Sequence, residues 1–345
     1  MKKIKRSVKI IITAGLVIAL FLASGVIFYL SKLNLLQYSN GKIKEDSSVE
    51  ANTGETLEEE NSMNDAIAGL EEKDSIAAAG DIYKDKNFMN ILLIGTDERT
   101  ENFSDNARGD SCMIMSIGKK DGSLKLASLE RGMGVPILDG KYKGQYDWLT
   151  HTFRYGGADL MMREVRECFK VDVERYIRVN FTTFKKGIDS VGGIDVTLTA
   201  DEAGYINGKI DRKNVYSAGL NHLDGSAALA YARCRKIDSD WHRIERQRNV
   251  IQAVVTKTKG LTIGELNDLL NNVLPIVQTN LSKLEITELL LLAPKYRGAA
   301  IAQTTIPVSG SYGGMRGLGG RSLFSVDFNT NAKALREFIY GVASE

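Results

Sequence analysis

Three segments carry residue types whose spacing suits joint chemistry. Gly95-Thr96-Asp97-Glu98-Arg99 directly follows a short apolar run, and Arg108-Gly109-Asp110-Ser111 directly precedes the next one. Loops at strand edges are where proteins place functional groups. Two such carboxylates brought together suit Mg²⁺, which takes one or two protein carboxylates beside phosphate oxygens and water. An Asp in a turn is also an ordinary turn former or cap, so the pattern by itself leaves both readings open. The third segment is residues 231–248, YARCRKIDSDWHRIERQR. If residues 233–235 are extended, period two puts Arg233 and Arg235 on one face. Asp240 is placed to cap the helix that follows.

On that helix, about 100° per residue brings Gln247, Val250, Ile251 and Val254 into the arc of Arg243 and leaves Glu245 and Asn249 outside it. An arginine on a buried face needs a partner, either a core carboxylate or an anion held at the helix start. Guanidinium forks match phosphate geometry, and four or more of them beside a divalent cation point to a pyrophosphate rather than a monoanion. Nucleic acid is the rival polyanion. The net charge of +2, from 45 basic and 43 acidic residues, argues against it, as does the placement argued next.

That total hides three regions. Residues 1–9 carry five cations and no acid; residues 10–30 are twenty-one residues without a charge. At 1.5 Å per residue the uncharged stretch matches a bilayer core of about 30 Å. The preceding cations place the N-terminus in the cytoplasm and the rest outside it. A cleaved signal peptide, with a site near Ala23-Ser24-Gly25, is the competing reading. Residues 31–87 hold six lysines against thirteen acids and read as an acidic, solvated spacer, a short helix over 63–79 with Ile67, Leu70 and Ile76 being the alternative. Residues 88–345 are the body.

The body must supply the frame. Apolar runs at 88–95, 111–118, 123–129, 175–180, 194–198 and 300–306 read as strands. Helical spacing appears at 158–169, 181–191, 224–232, 242–259, 262–273, 286–296 and 332–340. Residues 199–222 and the glycine-rich run 310–320 read as loops. Interleaved strands and helices predict an α/β layered fold with a mixed central sheet flanked by helices. Cys112 and Cys168 lie in apolar runs and read as packed thiols, a disulfide between them being the alternative. No Cys/His spacing suggests zinc.

The motifs NILLIGTDER (90–99), ARGDSCMIMSI (107–117), LASLERG (126–132), FRYGG (153–157), VNFTTFKKGIDSVGGIDV (179–196) and LAYARCR…DSDWHRIERQR (229–248) together resemble the LytR–CpsA–Psr family of membrane-anchored cell-wall proteins. The resemblance implies a phosphotransferase that moves a glycopolymer, such as teichoic acid or capsule, from an undecaprenyl-pyrophosphate carrier to peptidoglycan through a phosphodiester. It implies Mg²⁺, with Mn²⁺ an alternative, and an apolar lipid channel within the α/β domain. By the same resemblance Asp97 and Asp110 are metal ligands. Arg108, Arg131, Arg233, Arg235, Arg243 and Gln247 hold the pyrophosphate. Asp110 and the first four of those arginines act at the reacting phosphate, with Arg99, Asp240 and Arg246 in support.

The chain departs from the family pattern at Gly132 and Met133, where Asp and Thr or Ser are usual, and at Trp148 and Thr150. These departures keep open a non-catalytic polyprenyl-phosphate binder and a pyrophosphatase as alternatives. Trp148 reads as core, or as a stacking surface for sugar.

Overall fold

Strand side chains alternate between faces, and the central strands here are apolar on both, so helices must cover each side. The computed structural model describes residues 32–42 and 57–342, apart from 99, 101, 105, 106, 212–214 and 297. The expected membrane span at 10–30 and Arg99 lie outside the described residues. Among these, no helix is long and apolar enough to cross a membrane.

In chain order, β1 (Gln37–Tyr38) and α1 (Leu57–Ile67) precede the sheet core of β2 (Phe88–Thr96), β3 (Gly109–Gly118) and β4 (Leu124–Leu129). A small hairpin, β5 (Gly134–Pro136) and β6 (Tyr146–Trp148), leads into α2 (Thr152–Phe169), β7 (Arg175–Asn180) and α3 (Phe181–Ser190). Next come β8 (Ile194–Leu198), α4 (Ala200–Lys209), β9 (Gly219–Leu223), α5 (Gly225–Ala232), α6 (Asp240–Thr258) and α7 (Ile263–Val273). The chain closes with β10 (Gln278–Thr279), α8 (Lys283–Leu292), β11 (Ile301–Ile306), β12 (Tyr312–Arg316), β13 (Ser322–Val326) and α9 (Phe328–Tyr340).

Seven strands form a mixed sheet in the order β1-β10-β7-β2-β3-β4-β11. Leu92, Ile94, Cys112, Ile114 and Leu129 face one side and share a core with Met161, Val165 and Phe169 of α2 and Leu335 and Ile339 of α9. Met89, Ile91, Leu93, Met113 and Leu126 face the other side, beneath α6, α7 and α8. The α/β layers expected from the sequence are therefore present.

Three expectations need correction. Residues 199–222 are not a loop: Thr199 and Glu202 close a capping box that starts α4, and β9 pairs with β8. Residues 310–320 are not simply a glycine loop, because β12 pairs with β13 across five residue pairs. The described part of the acidic spacer is not solvated throughout. Met63, Ile67 and Leu70 repeat at helical spacing, and all three join the core on the α2 side. Met63 is only 4% exposed, and its Sδ and Cε fill the space a side chain at Gly132 would need. Beyond α1 the chain stays on the body through single β-bridges from Glu72 to Gly314, Ile76 to Asp327 and Tyr83 to Val171. Leu33 is buried as well, and β1 extends the sheet edge.

Removing the Met63 side chain should cost about 2 kcal/mol. Urea unfolding of Met63→Ala measures this, and faster proteolysis between 57 and 70 is the expected local sign.

Candidate functional site

The end of β2, the start of β3, the end of β4 and the start of α6 surround one cavity of about 1310 Å³. Ordinary small-molecule sites occupy roughly 300–1,000 Å³. The lining changes along its length. Asp97, Arg108, Asp110, Arg131, Arg233, Arg235, Asp240, Arg243 and Gln247 surround one end; Leu93, Met113, Ile177, Val179, Leu229, Val250 and Ile251 continue from it. Along β2, Asp97 and Leu93 are about 13 Å apart; along α6, Arg243 and Ile251 are about 12 Å apart. Such a cavity suits an elongated amphiphile with an anionic head.

The arc drawn for α6 holds: Arg243 is buried, Gln247 half-buried and Glu245 exposed, with Val250 and Ile251 on the cavity side. The extended reading of residues 233–235 does not hold. Arg233 ends α5 in a turn with φ −102° and ψ 1°, its guanidinium 4.2 Å from the Phe181 ring centroid. Arg233 and Arg235 still line the cavity together, while Cys234 between them is buried.

Asp240 is not the cap. Ser239 caps α6, accepting from the His242 N–H. Asp240 sits in the first turn and accepts from Arg243 Nη2 at 2.7 Å, with Arg131 Nε at 3.7 Å and Arg235 Nε at 3.4 Å. Three guanidinium groups thus share one carboxylate at a helix N-terminus, which itself favours anions. Burial would raise the Asp240 pKa, but Arg243, Arg131 and Arg235 outweigh it and hold the group ionised. Burial, then Arg243 and Arg131, bring Arg235 down to about 10. Of the two readings left open for the buried arginine, the core carboxylate is the one seen, in Asp240.

Glu130 is a cavity residue that sequence reasoning passed over. It is 1% exposed and accepts from the Gly132 N–H at 3.2 Å. Burial and the neighbouring Asp240 push its pKa up to about 8. Glu130 Oε2 and Asp240 Oδ1 are both buried acceptors short of a donor, and each carboxyl acts on the other's titration. A proton held on Glu130 satisfies both. A buried acid has no sequence signature of its own, but its place beside Arg131 at a strand end was a signal.

Asp97 accepts from Arg108 twice, from Nε at 2.8 Å and from the backbone N–H at 3.0 Å. Asp110 lies where the β2–β3 register steps from Ser111 to Gly109, a bulge; bulges re-aim side chains beside functional sites. Asp97 and Asp110 both line the cavity, where Mg²⁺ would draw on one or two carboxylates beside phosphate and water. Among the described residues there is no cluster of three metal-ligating side chains.

Two further arginines have structural work. Arg246 is buried and pairs with Glu202 at 2.7 Å and with Asp238, fixing the loop before α6. Arg178, unremarked in the sequence, bonds Thr96, Glu98 and the Ser104 carbonyl from β7. It thereby holds the loop that carries Asp97. Trp148 is core, donating to the Ser322 carbonyl at 2.8 Å, with Arg131 4.8 Å above its ring. The three cysteines are free and buried, so Cys112 and Cys168 do not form the alternative disulfide.

A family model described as the LytR_cpsA_psr family matches residues 43–336. The chain is 33% identical over 201 residues to a polyisoprenyl-teichoic acid–peptidoglycan teichoic acid transferase TagT of Bacillus subtilis, covering 57% of this chain and 61% of that relative. It is 34% identical over 242 residues to a TagU transferase of Oceanobacillus iheyensis, covering 66% of this chain and 69% of the relative. A solved structure of TagT bound to LI-WTA superposes with a TM-score of 0.59 at 27% identity, over 78% of this chain and 100% of that one. A TagT structure with bound octaprenyl pyrophosphate lipid gives 0.56 at 25% identity, over 78% and 100%.

Glu130 is neutral below its raised pKa and ionised above it. Affinity for inorganic pyrophosphate should therefore fall as pH rises through about 8, by about tenfold, the equivalent of one pKa unit. Glu130→Gln should abolish that decline in titration calorimetry. Arg246→Ala should instead lower stability by about 3 kcal/mol, because it strands Glu202 and Asp238; chemical denaturation reads this directly.

Proposed function

Because the chain belongs to the LytR–CpsA–Psr family, we propose that it is a membrane-anchored phosphotransferase. It moves a glycopolymer from an undecaprenyl-pyrophosphate carrier to peptidoglycan, with its body outside the cytoplasm. The observation that carries this reading is the lining of one cavity: five arginines and Gln247 at one end, an apolar wall along the rest. The named substrates of TagT and TagU, and the lipid bound to TagT, support the same reading.

In this reading the polyprenyl tail lies along Leu93, Ile177, Val250 and Ile251, and the pyrophosphate meets Arg108, Arg131, Arg233, Arg235 and Arg243. An acceptor hydroxyl attacks the glycan-bearing phosphorus. The phosphoanhydride bond breaks, polyprenyl phosphate leaves with the electron pair, and the hydroxyl proton passes to that phosphate or to water. The arginines stabilise charge that grows on the departing oxygens, which matters most where water is excluded. Asp97 and Asp110 are the residues that would hold Mg²⁺, which when bound neutralises phosphate oxygens.

Full-length protein, Mg²⁺, a lipid-pyrophosphate glycan and peptidoglycan oligomers should yield joined product and polyprenyl phosphate in equal amounts. Arg235→Ala should slow this by about 100-fold, as for loss of one charge-stabilising donor. Glycan released without acceptor would mark a pyrophosphatase. Tight lipid binding without product would mark a binding protein, the reading that Gly132 and Met133 keep open.

A further inference from the structure

Helix α8, KLEITELLLL, is apolar on two sides. Ile286, Leu289 and Leu290 pack into the cluster beneath it, while Leu284 and Leu291 are 82% and 77% exposed. Seven residues apart, the two exposed leucines stand on one line of the helix, about 10 Å from each other. Large apolar side chains this exposed two turns apart mark an interaction surface, although Thr287 and Glu288 stand beside them. More exposed apolar surface adjoins it at Leu35 and Tyr38. Lys283 bonds Asn34, and β1 pairs with β10, the strand just before α8.

The sequence says what lies next to this face. The uncharged stretch 10–30 ends two residues before Lys32, and Leu33 is already buried in the same cluster as Ile286. The exposed Lys283 and Lys295 flank the helix, Lys295 donating to the Lys119 and Lys120 carbonyls, while Glu285 and Glu288 are paired with Arg175 and Lys119. The layer beneath also adjoins the cavity, because Leu93 and Ile177 both line the cavity and pack against that cluster.

We propose that the outer face of α8, with Leu35 and Tyr38, docks on the surface of an anionic phospholipid bilayer and turns the apolar end of the cavity toward it. The proposal rests on the reading of residues 10–30 as a membrane anchor. Apolar side chains with flanking lysines suit such a surface. The anchor supplies attachment, and this face fixes orientation.

The test uses the full chain in vesicles of phosphatidylglycerol and phosphatidylcholine, with Leu284→Cys or Leu291→Cys carrying an environment-sensitive fluorophore. Cys112, Cys168 and Cys234 are buried, so the label goes to the introduced thiol. Leu220, 75% exposed on β9, is the control position. Nitroxide lipids should quench the probe at 284 and 291 but not at 220, and Lys283→Glu with Lys295→Glu should weaken that quenching. Unquenched probes on vesicle-bound protein overturn the proposal, as does release of the protein by carbonate extraction. Concentration-dependent cross-linking of unlabelled Leu284→Cys through its introduced thiol would assign the face to a second copy and also overturn it. Transfer measured in the same vesicles keeps the two readings apart: transfer with unquenched probes refutes docking alone.

Discussion

Three guanidinium groups around a single ionised carboxylate are the constraint on which the rest of the structure turns. Arg131, Arg235 and Arg243 all lie within 4 Å of Asp240 oxygens. Like charges at that spacing repel strongly where water is scarce. A fully ionised Glu130 would relieve the repulsion and leave little charge for a ligand. Held neutral, it supplies a hydrogen bond and leaves a surplus of positive charge. The cluster thus keeps a surplus of positive charge at a cost in stability, a usual compromise at functional sites.

The surrounding elements make that repulsion tolerable. Trp148 offers Arg131 an aromatic face from a buried position, and Thr150 Oγ1 donates to the Arg131 carbonyl at 3.4 Å. Behind Trp148, Asp147 takes bonds from Arg321 at 2.6 Å and from the Trp148 N–H at 2.8 Å. Positions that depart from the family pattern are therefore packed around one site arginine. Gly132 is part of the same adjustment: its missing side chain is the space that Met63 fills.

Most of the frame was legible because the central strands bury both faces and carry apolar residues at almost every position. The arc of α6 was legible for the related reason that its periodicity is long. Short elements were not. α4 is weakly amphipathic, and only its Thr199–Glu202 capping box announces it. β5 and β6 are three residues each, too short to show a period, and β12 and β13 pair across a glycine-rich run that reads as a loop. Arg233 and Arg235 were rightly grouped by the wrong geometry, since a turn after α5, not an extended run, brings them together. Glu130 went unseen because its environment is made by Asp240, more than a hundred residues away. The docking of α1 was hidden by composition: the acids of 57–74 outweigh three well-spaced apolar residues.

The two-residue strand β1 has a mechanical consequence. Seven residue steps lead from Leu30 to Gln37, and fully extended they span at most about 25 Å. Gln37 is fixed to the sheet edge by its pairing with Gln278. The acidic region that follows, however long, lies after this attachment and adds nothing to the leash. Were the uncharged stretch the anchor proposed above, the body would stand at a set, short height over its end, and a wall acceptor would have to come down to it.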